Sequence, residues 1–131
     1  MMKSLLFTVR FTVSAVLSSI TCFAGSALSQ AVPATLRQEM PYAEARQILL
    51  DEGWQAILFP GDRQITSTTE EYLINELGYS EFVACSGTGM GFCRAEFATA
   101  DSQKLILITV DNQSGQEPTL YRWYLEENPE S

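Results

Sequence analysis

The chain has 131 residues, with 16 Asp and Glu against 8 Lys and Arg, a formal net charge of −8 and no histidine. Hydrophobic residues make up 46% and charged residues 18%, the mixture of one small folded domain rather than of a disordered chain. The acidic balance argues against nucleic acid and anionic lipid surfaces, which need Lys/Arg patches, and the missing histidine excludes Ser–His–Asp and Cys–His catalysis and His-ligated zinc.

The first segment reads as an address. Lys3 and Arg10 are the only charges before Arg37, and Phe11 to Ser29 is an uncharged run rich in small residues. A basic start, an apolar middle and a small-residue exit are the parts of a secretory signal peptide. Residues 1–29 are therefore expected to be cleaved after Ser29, with Ala27 and Ala31 as alternative sites. An uncleaved anchor is the competing reading, weakened by the Ser/Thr content of the run. A lipoprotein acylated at Cys22 lacks the Leu expected three positions earlier. Lys3 and Arg10 leave with the leader, so the mature chain carries 6 basic and 16 acidic residues. Cys85 and Cys93 then remain, and two cysteines in an exported domain read as one disulfide.

Residues 30–40 show no clear period and are expected to be a partly ordered lead-in. Pro41 suits the start of a helix. Tyr42, Ala45, Ile48 and Leu49 share one helical face, and Gly53 is placed to stop the helix with Trp54 folding back on Leu49, which predicts a helix over 41–53. Residues 54–59 read as a strand or extended segment that ends at the turn residues Pro60-Gly61-Asp62. Thr68 and Glu71 have capping-box spacing ahead of Leu73 and Leu77, so a second helix is predicted over 68–77, ended by Gly78, with Tyr79 covering Ile74.

Everything after Ser80 reads as strand: 81–85, 92–99, 104–110 and 119–126, joined by short turns in an antiparallel meander. Tyr121, Trp123 and Leu125 are expected on one face of the last strand, and Leu120, Arg122 and Tyr124 on the other. Arg94 and Arg122 are expected on the outer sheet face beside Glu96, as cross-strand charge pairs. The fold class is α+β, two helices packed on a four- to five-stranded, mainly antiparallel sheet, forming a single domain over 41–126 with a polar tail at 127–131. Ile48, Leu49, Leu73, Leu77, Phe97, Leu107 and Trp123 are the expected core.

Three stretches carry a likeness to known sequences: Met40–Gln55, the cysteine hairpin Ala84–Phe97, and Pro118–Glu126. Together they resemble a group of small exported bacterial proteins of uncharacterised function. Those proteins have a Pro-Tyr-x-x-Ala-Arg helix ending in Gly-Trp, a Gly-rich Cys-x7-Cys hairpin and a Trp in the last strand. The resemblance implies export and one small domain, and carries no catalytic residue with it. A looser analogy, on element order alone, is to β-lactamase-inhibitor-like modules.

The segment from Cys85 to Cys93 holds Gly87, Gly89 and Gly91 in alternation. A phosphate loop is a poor fit, because the spacing is G-x-G-x-G and a strand follows where a helix N-terminus is needed. The alternatives are a plain disulfide-closed hairpin and a rigid recognition loop presenting Thr88, Met90 and Phe92. The neighbouring acids Glu70/Glu71, Asp51/Glu52 and Glu126/Glu127 diverge on helices or strands, which favours a solvated acidic surface over paired catalysts. Residues 111–117 fail the calcium-loop pattern and read as a hairpin turn. No catalytic, cofactor-binding or metal-ligating residue is assigned, and no cofactor is expected. The expectation is an exported, periplasmic or secreted, non-catalytic binding or inhibitor-like module. Its partner is a protein, with no nucleic acid and no stable membrane association after cleavage. The alternative is a small carboxylate-based hydrolase or ligand carrier, which needs two acids converging on an apolar cleft.

Overall fold

The computed structural model describes residues 30–87, 89–111 and 116–127; the expected leader lies outside the described residues. The chain runs α1 (Tyr42–Asp51), β1 (Gln55–Ala56), α2 (Thr68–Glu71) leading directly into a π turn (Tyr72–Glu76), then β2 (Phe82–Cys85), β3 (Cys93–Ala98), β4 (Lys104–Val110) and β5 (Thr119–Glu126). This is the expected α+β fold, with two helices and a five-stranded antiparallel sheet.

In α1, Tyr42, Ala45 and Leu49 are buried and Ile48 packs beside them. Gly53 adopts φ 91°. Its N–H donates to the Leu50 carbonyl at 3.1 Å and that of Trp54 to the Leu49 carbonyl at 2.9 Å, a Schellman closure that drops Trp54 into the core. The second helix begins at Thr68, as expected, but its cap lies one residue earlier than expected. Ser67 is extended (φ −141°, ψ 155°) and its Oγ accepts from the Glu70 N–H at 3.1 Å, so Ser67 and not Thr68 is the cap. The run Ser67-Thr68-Thr69 offers the same hydroxyl-to-acid spacing in two registers, and burial of Glu70 beside Arg63 selects the first. The helix then widens, with the Leu77 N–H reaching the Tyr72 carbonyl at 3.1 Å. Gly78 (φ 75°) ends it, and the Tyr79 ring packs edge-on against Tyr42 at 5.1 Å rather than over Ile74.

β3 is the hub of the sheet. β4 pairs along its whole length, while its other edge is shared end to end, by β1 at Phe97–Ala98 and by β2 at Cys93–Ala95. The hand-over is at Glu96, whose carbonyl accepts from Ile57 N–H and whose own N–H donates to the Glu81 carbonyl. The inner face supplies Cys93, Ala95, Phe97, Leu105, Leu107 and Leu120 to a core completed by α1, Trp54, Leu73 and Phe82. Of the expected core, Leu49, Leu73, Phe97 and Leu107 are buried, and Ile48, Leu77 and Trp123 are half-buried against it.

Two features depart from the sequence reading. The register of β5 shifts between its pairings Thr109↔Leu120 and Ile108↔Arg122. Tyr121 is the extra residue of a β-bulge, which reverses the alternation of faces. Leu120 therefore joins Trp123 and Leu125 on the inner face, and Tyr121 joins Arg122 and Tyr124 on the outer one. The lead-in is also no loose arm. Leu36 and Met40 are buried in the core. Glu39 N–H donates to the Leu120 carbonyl of β5 at 2.7 Å, Leu120 N–H donates to the Met40 carbonyl at 2.9 Å, and Tyr42 N–H reaches the Pro118 carbonyl at 2.8 Å. An edge strand offers unpaired backbone groups that any segment can satisfy without a side-chain pattern of its own.

Candidate functional site

Cys85 and Cys93 face each other across β2 and β3 with Cα atoms 4.1 Å apart and are joined as a disulfide. Beyond them, Ser86 N–H donates to the Phe92 carbonyl at 2.7 Å, and Gly89 and Gly91 take φ of 74° and 64°. Gly91 is favoured by its angle, and space is tight as well: a Cβ there would sit 3.1 Å from Asp111 Cβ, close enough that Asp111 would have to give way slightly. Asp111 N–H donates to the Gly91 carbonyl at 3.3 Å, so the hairpin is laid against the end of β4. Thr88 lies outside the described residues.

Met90 is 58% exposed. Phe92 is half-buried, with its ring centroid 5.1 Å from that of Tyr121. Neither belongs to the core cluster or to the half-buried residues packed on it. Two hollows flank Tyr121. One, of about 310 Å³, is lined by Met90, Val110, Leu120, Gln38 and Glu39; the other, of about 400 Å³, by Phe92, Ile108 and Arg122. Glu39 holds a positive φ of 65°, an uncommon state for a residue with a Cβ. It is fixed by its bond to β5 and, next to it, by Gln38 Nε2 donating to the Tyr121 carbonyl at 2.9 Å.

Farther along the same face, Arg94, Glu96, Lys104 and Glu126 form a ring of alternating charge. Arg94 donates to Glu96 at 2.9 Å and to Glu126 at 2.8 Å, and Lys104 Nζ lies 2.9 Å from Glu126 and 3.5 Å from Glu96. Ile106, paired with Glu96 on one side and Tyr124 on the other, is fully buried although it lies outside the main core. The bonds from Lys104 and Arg94 hold the Glu126 carboxyl below the usual range, and Glu126 in turn raises the Lys104 ammonium. Arg94 lies beside Glu96, as expected, but along the same strand, and its cross-strand partner is Glu126. Arg122 instead lies over the Tyr124 ring, 5.9 Å from its centroid.

Glu70, expected on a solvated surface, is buried, and so is Glu81. Glu81 accepts from Tyr42 Oη at 2.8 Å and from Arg46 Nε at 2.6 Å, and Arg46 lies over the Tyr79 ring. Tyr79 Oη donates to Glu117 at 3.1 Å. Burial, with Glu81 beside it, pushes the Tyr42 phenol well above its ordinary value; burial and Glu117 push Tyr79 up to about 12. Glu70 is 2.6 Å from Arg63, which also donates to the Val83 carbonyl at 2.6 Å and so ties the 60–67 loop to β2. Each buried carboxylate faces an arginine, not another acid, and neither hollow beside Tyr121 is lined by two carboxylates. Asp51, Glu52, Glu71 and Glu127 are exposed, as expected.

The structure thus gathers Met90 and Phe92 with Tyr121 on the outer face. The sequence reading set Tyr121 on the face of Trp123 and Leu125 instead, because a one-residue bulge leaves no mark on the alternation Tyr-Arg-Trp-Tyr-Leu. Among the described residues no group of acids and cysteines could hold a metal ion, and no helix is long and apolar enough to cross a membrane. No family model, curated protein or solved structure matches the chain.

Proposed function

We propose that the protein is an exported, non-catalytic binding module, inhibitor-like in character, acting on a protein partner in the periplasm or outside the cell. The observation that carries this reading is the position of Met90 and Phe92. They lie outside the core and the residues packed on it, Phe92 against the Tyr121 ring and Met90 lining a hollow with Tyr121. Exposed Met and aromatic side chains beside a rigid loop are what an interface core uses, and a loop held by a disulfide loses little freedom on binding. Thr88 belongs to the same loop and is assigned to the same contact. Export is supported by the leader-like run 1–29, by the disulfide and by the resemblance to small exported bacterial proteins.

The test is affinity capture from the exported fraction with the wild-type chain and with Met90→Ser and Phe92→Ser. The reading expects a partner retained by the wild type and lost by both variants. Equal capture by all three contradicts it.

A further inference from the structure

The open edge of the sheet carries a second inference, independent of the hairpin. Hydrogen bonding alternates along an antiparallel strand. Glu96 is bonded on its β1/β2 side, so the alternate residues Cys93, Ala95 and Phe97 turn toward β4. Their β4 partners are Thr109, Leu107 and Leu105. The intervening Ile108, Ile106 and Lys104 therefore bond to Arg122, Tyr124 and Glu126 of β5. The N–H and C=O groups of Trp123 and Leu125 are left pointing away from the sheet. The lead-in covers this edge only as far as Tyr121. No backbone bond joins Trp123 or Leu125 to a described residue beyond the sheet, while Tyr124 and Leu125 are each 40% exposed.

The residues on this open edge are self-complementary about a two-fold axis at Tyr124. In an antiparallel pairing centred there, Trp123 faces Leu125 of the other copy on the inner side, apolar against apolar. Tyr124 faces Tyr124 and Arg122 faces Glu126 on the outer side. The charge match is specific. Arg37, Arg46, Arg63, Arg94 and Lys104 each sit in an ion pair within the chain, and Arg122 sits in none among the described residues. Glu126 is 37% exposed at its side chain and keeps acceptor capacity beyond its bonds to Arg94 and Lys104. A one-residue slip would turn inner side chains against outer ones, and the next in-phase registers, two residues either way, set Arg122 opposite Tyr124 or Asn128 and break the Arg–Glu match. No Pro or Lys interrupts the edge within 121–126, and the bulge at Tyr121 lies at the end that the lead-in covers.

We propose that a second copy of this chain occupies the edge, pairing β5 with β5 across a two-fold axis at Tyr124 and joining the two sheets into one. The interface is isologous, each Arg122 meeting the other copy's Glu126.

The experiment is sedimentation of the purified chain from low-micromolar to near-millimolar concentration, for the wild type, Leu125→Pro and Tyr124→Lys. Proline at 125 removes an N–H that only the second copy uses, a substitution an edge strand accepts. Lysine at 124 places two like charges on the axis. The wild type is expected to dimerise with rising concentration and both variants to remain monomeric with an unchanged far-ultraviolet circular dichroism spectrum. A wild type that is monomeric throughout, or a dimer that persists in both variants, overturns the proposal. If a variant unfolds, hydrogen exchange on the wild type decides. Slower exchange of the Trp123 and Leu125 amides at high concentration is expected, and a rate independent of concentration overturns it.

Discussion

Tyr42 shows how much of this fold rests on single polar contacts inside it. Its ring is buried against Tyr79 and Phe82, and its hydroxyl donates to Glu81, a carboxylate with no solvent exposure that is also bound by Arg46. Replacing Tyr42 by Phe removes one donor from a buried charge and is expected to lower unfolding free energy by about 1.5–3 kcal/mol at neutral pH. The phenols also set an alkaline limit. Their folded pKa values are raised, so the stability they contribute is present below the unfolded tyrosine value of about 10 and is lost as pH rises from there toward 12. Urea midpoints measured at neutral pH and in that alkaline window are expected to fall steeply for the wild type and less steeply for Tyr42→Phe with Tyr79→Phe. Sequence patterns identified Tyr42 as a core residue by its helical spacing. They gave no sign of Glu81, because a buried acid is recognised only by the arginine that a distant helix brings to it. Gly91 is a second single-residue constraint. Gly91→Ala combines a positive φ with a Cβ 3.1 Å from Asp111 and is expected to cost about 1–3 kcal/mol. Gly87 has open space around its Cβ position and no positive φ, so Gly87→Ala in the same denaturation series is expected to leave the midpoint nearly unchanged.

Among the elements, those with a repeating signature were legible and those made by backbone alone were not. α1 was readable from end to end, because Pro41, the stripe Tyr42-Ala45-Leu49 and Gly53 each do a local job that the residue type reveals. β3 and β4 were found within one residue of their ends for the same reason. The lead-in 30–40 was missed as a structural element because its hold on β5 is made by N–H and C=O groups, which every sequence has. The bulge at Tyr121 was missed because Leu120 and Tyr121 are both acceptable inner-face residues. The hairpin was foreseen in its disulfide and its turn, but its direction depends on the Gly91–Asp111 contact, a tertiary fact. Closing the nine-residue loop from Cys85 to Cys93 restricts the unfolded chain, so Cys85→Ser with Cys93→Ser is expected to lower stability by about 2–3 kcal/mol. Thermal or denaturant unfolding under non-reducing conditions measures it. A wild type that gains nothing over the double variant would show that the staple acts only on the local shape of the loop.

At the scale of the whole molecule, the sheet has two unlike faces. The inner face is covered by α1, the π turn and the lead-in and holds the main hydrophobic core. The outer face carries the charged ring over Ile106 at one end and the Met90–Phe92–Tyr121 surface at the other, and it is this second surface that the account assigns to recognition. The assignment stands on the claim that Met90 and Phe92 are not part of what holds the fold together. The most direct test is the unfolding free energy of the double variant Met90→Ser with Phe92→Ser, disulfide intact, measured beside the wild type. The account predicts a loss below about 1 kcal/mol, the scale of a surface substitution that breaks one aromatic contact. A loss of about 3–5 kcal/mol, the scale of emptying a core position, would contradict it and return the hairpin to a purely structural role.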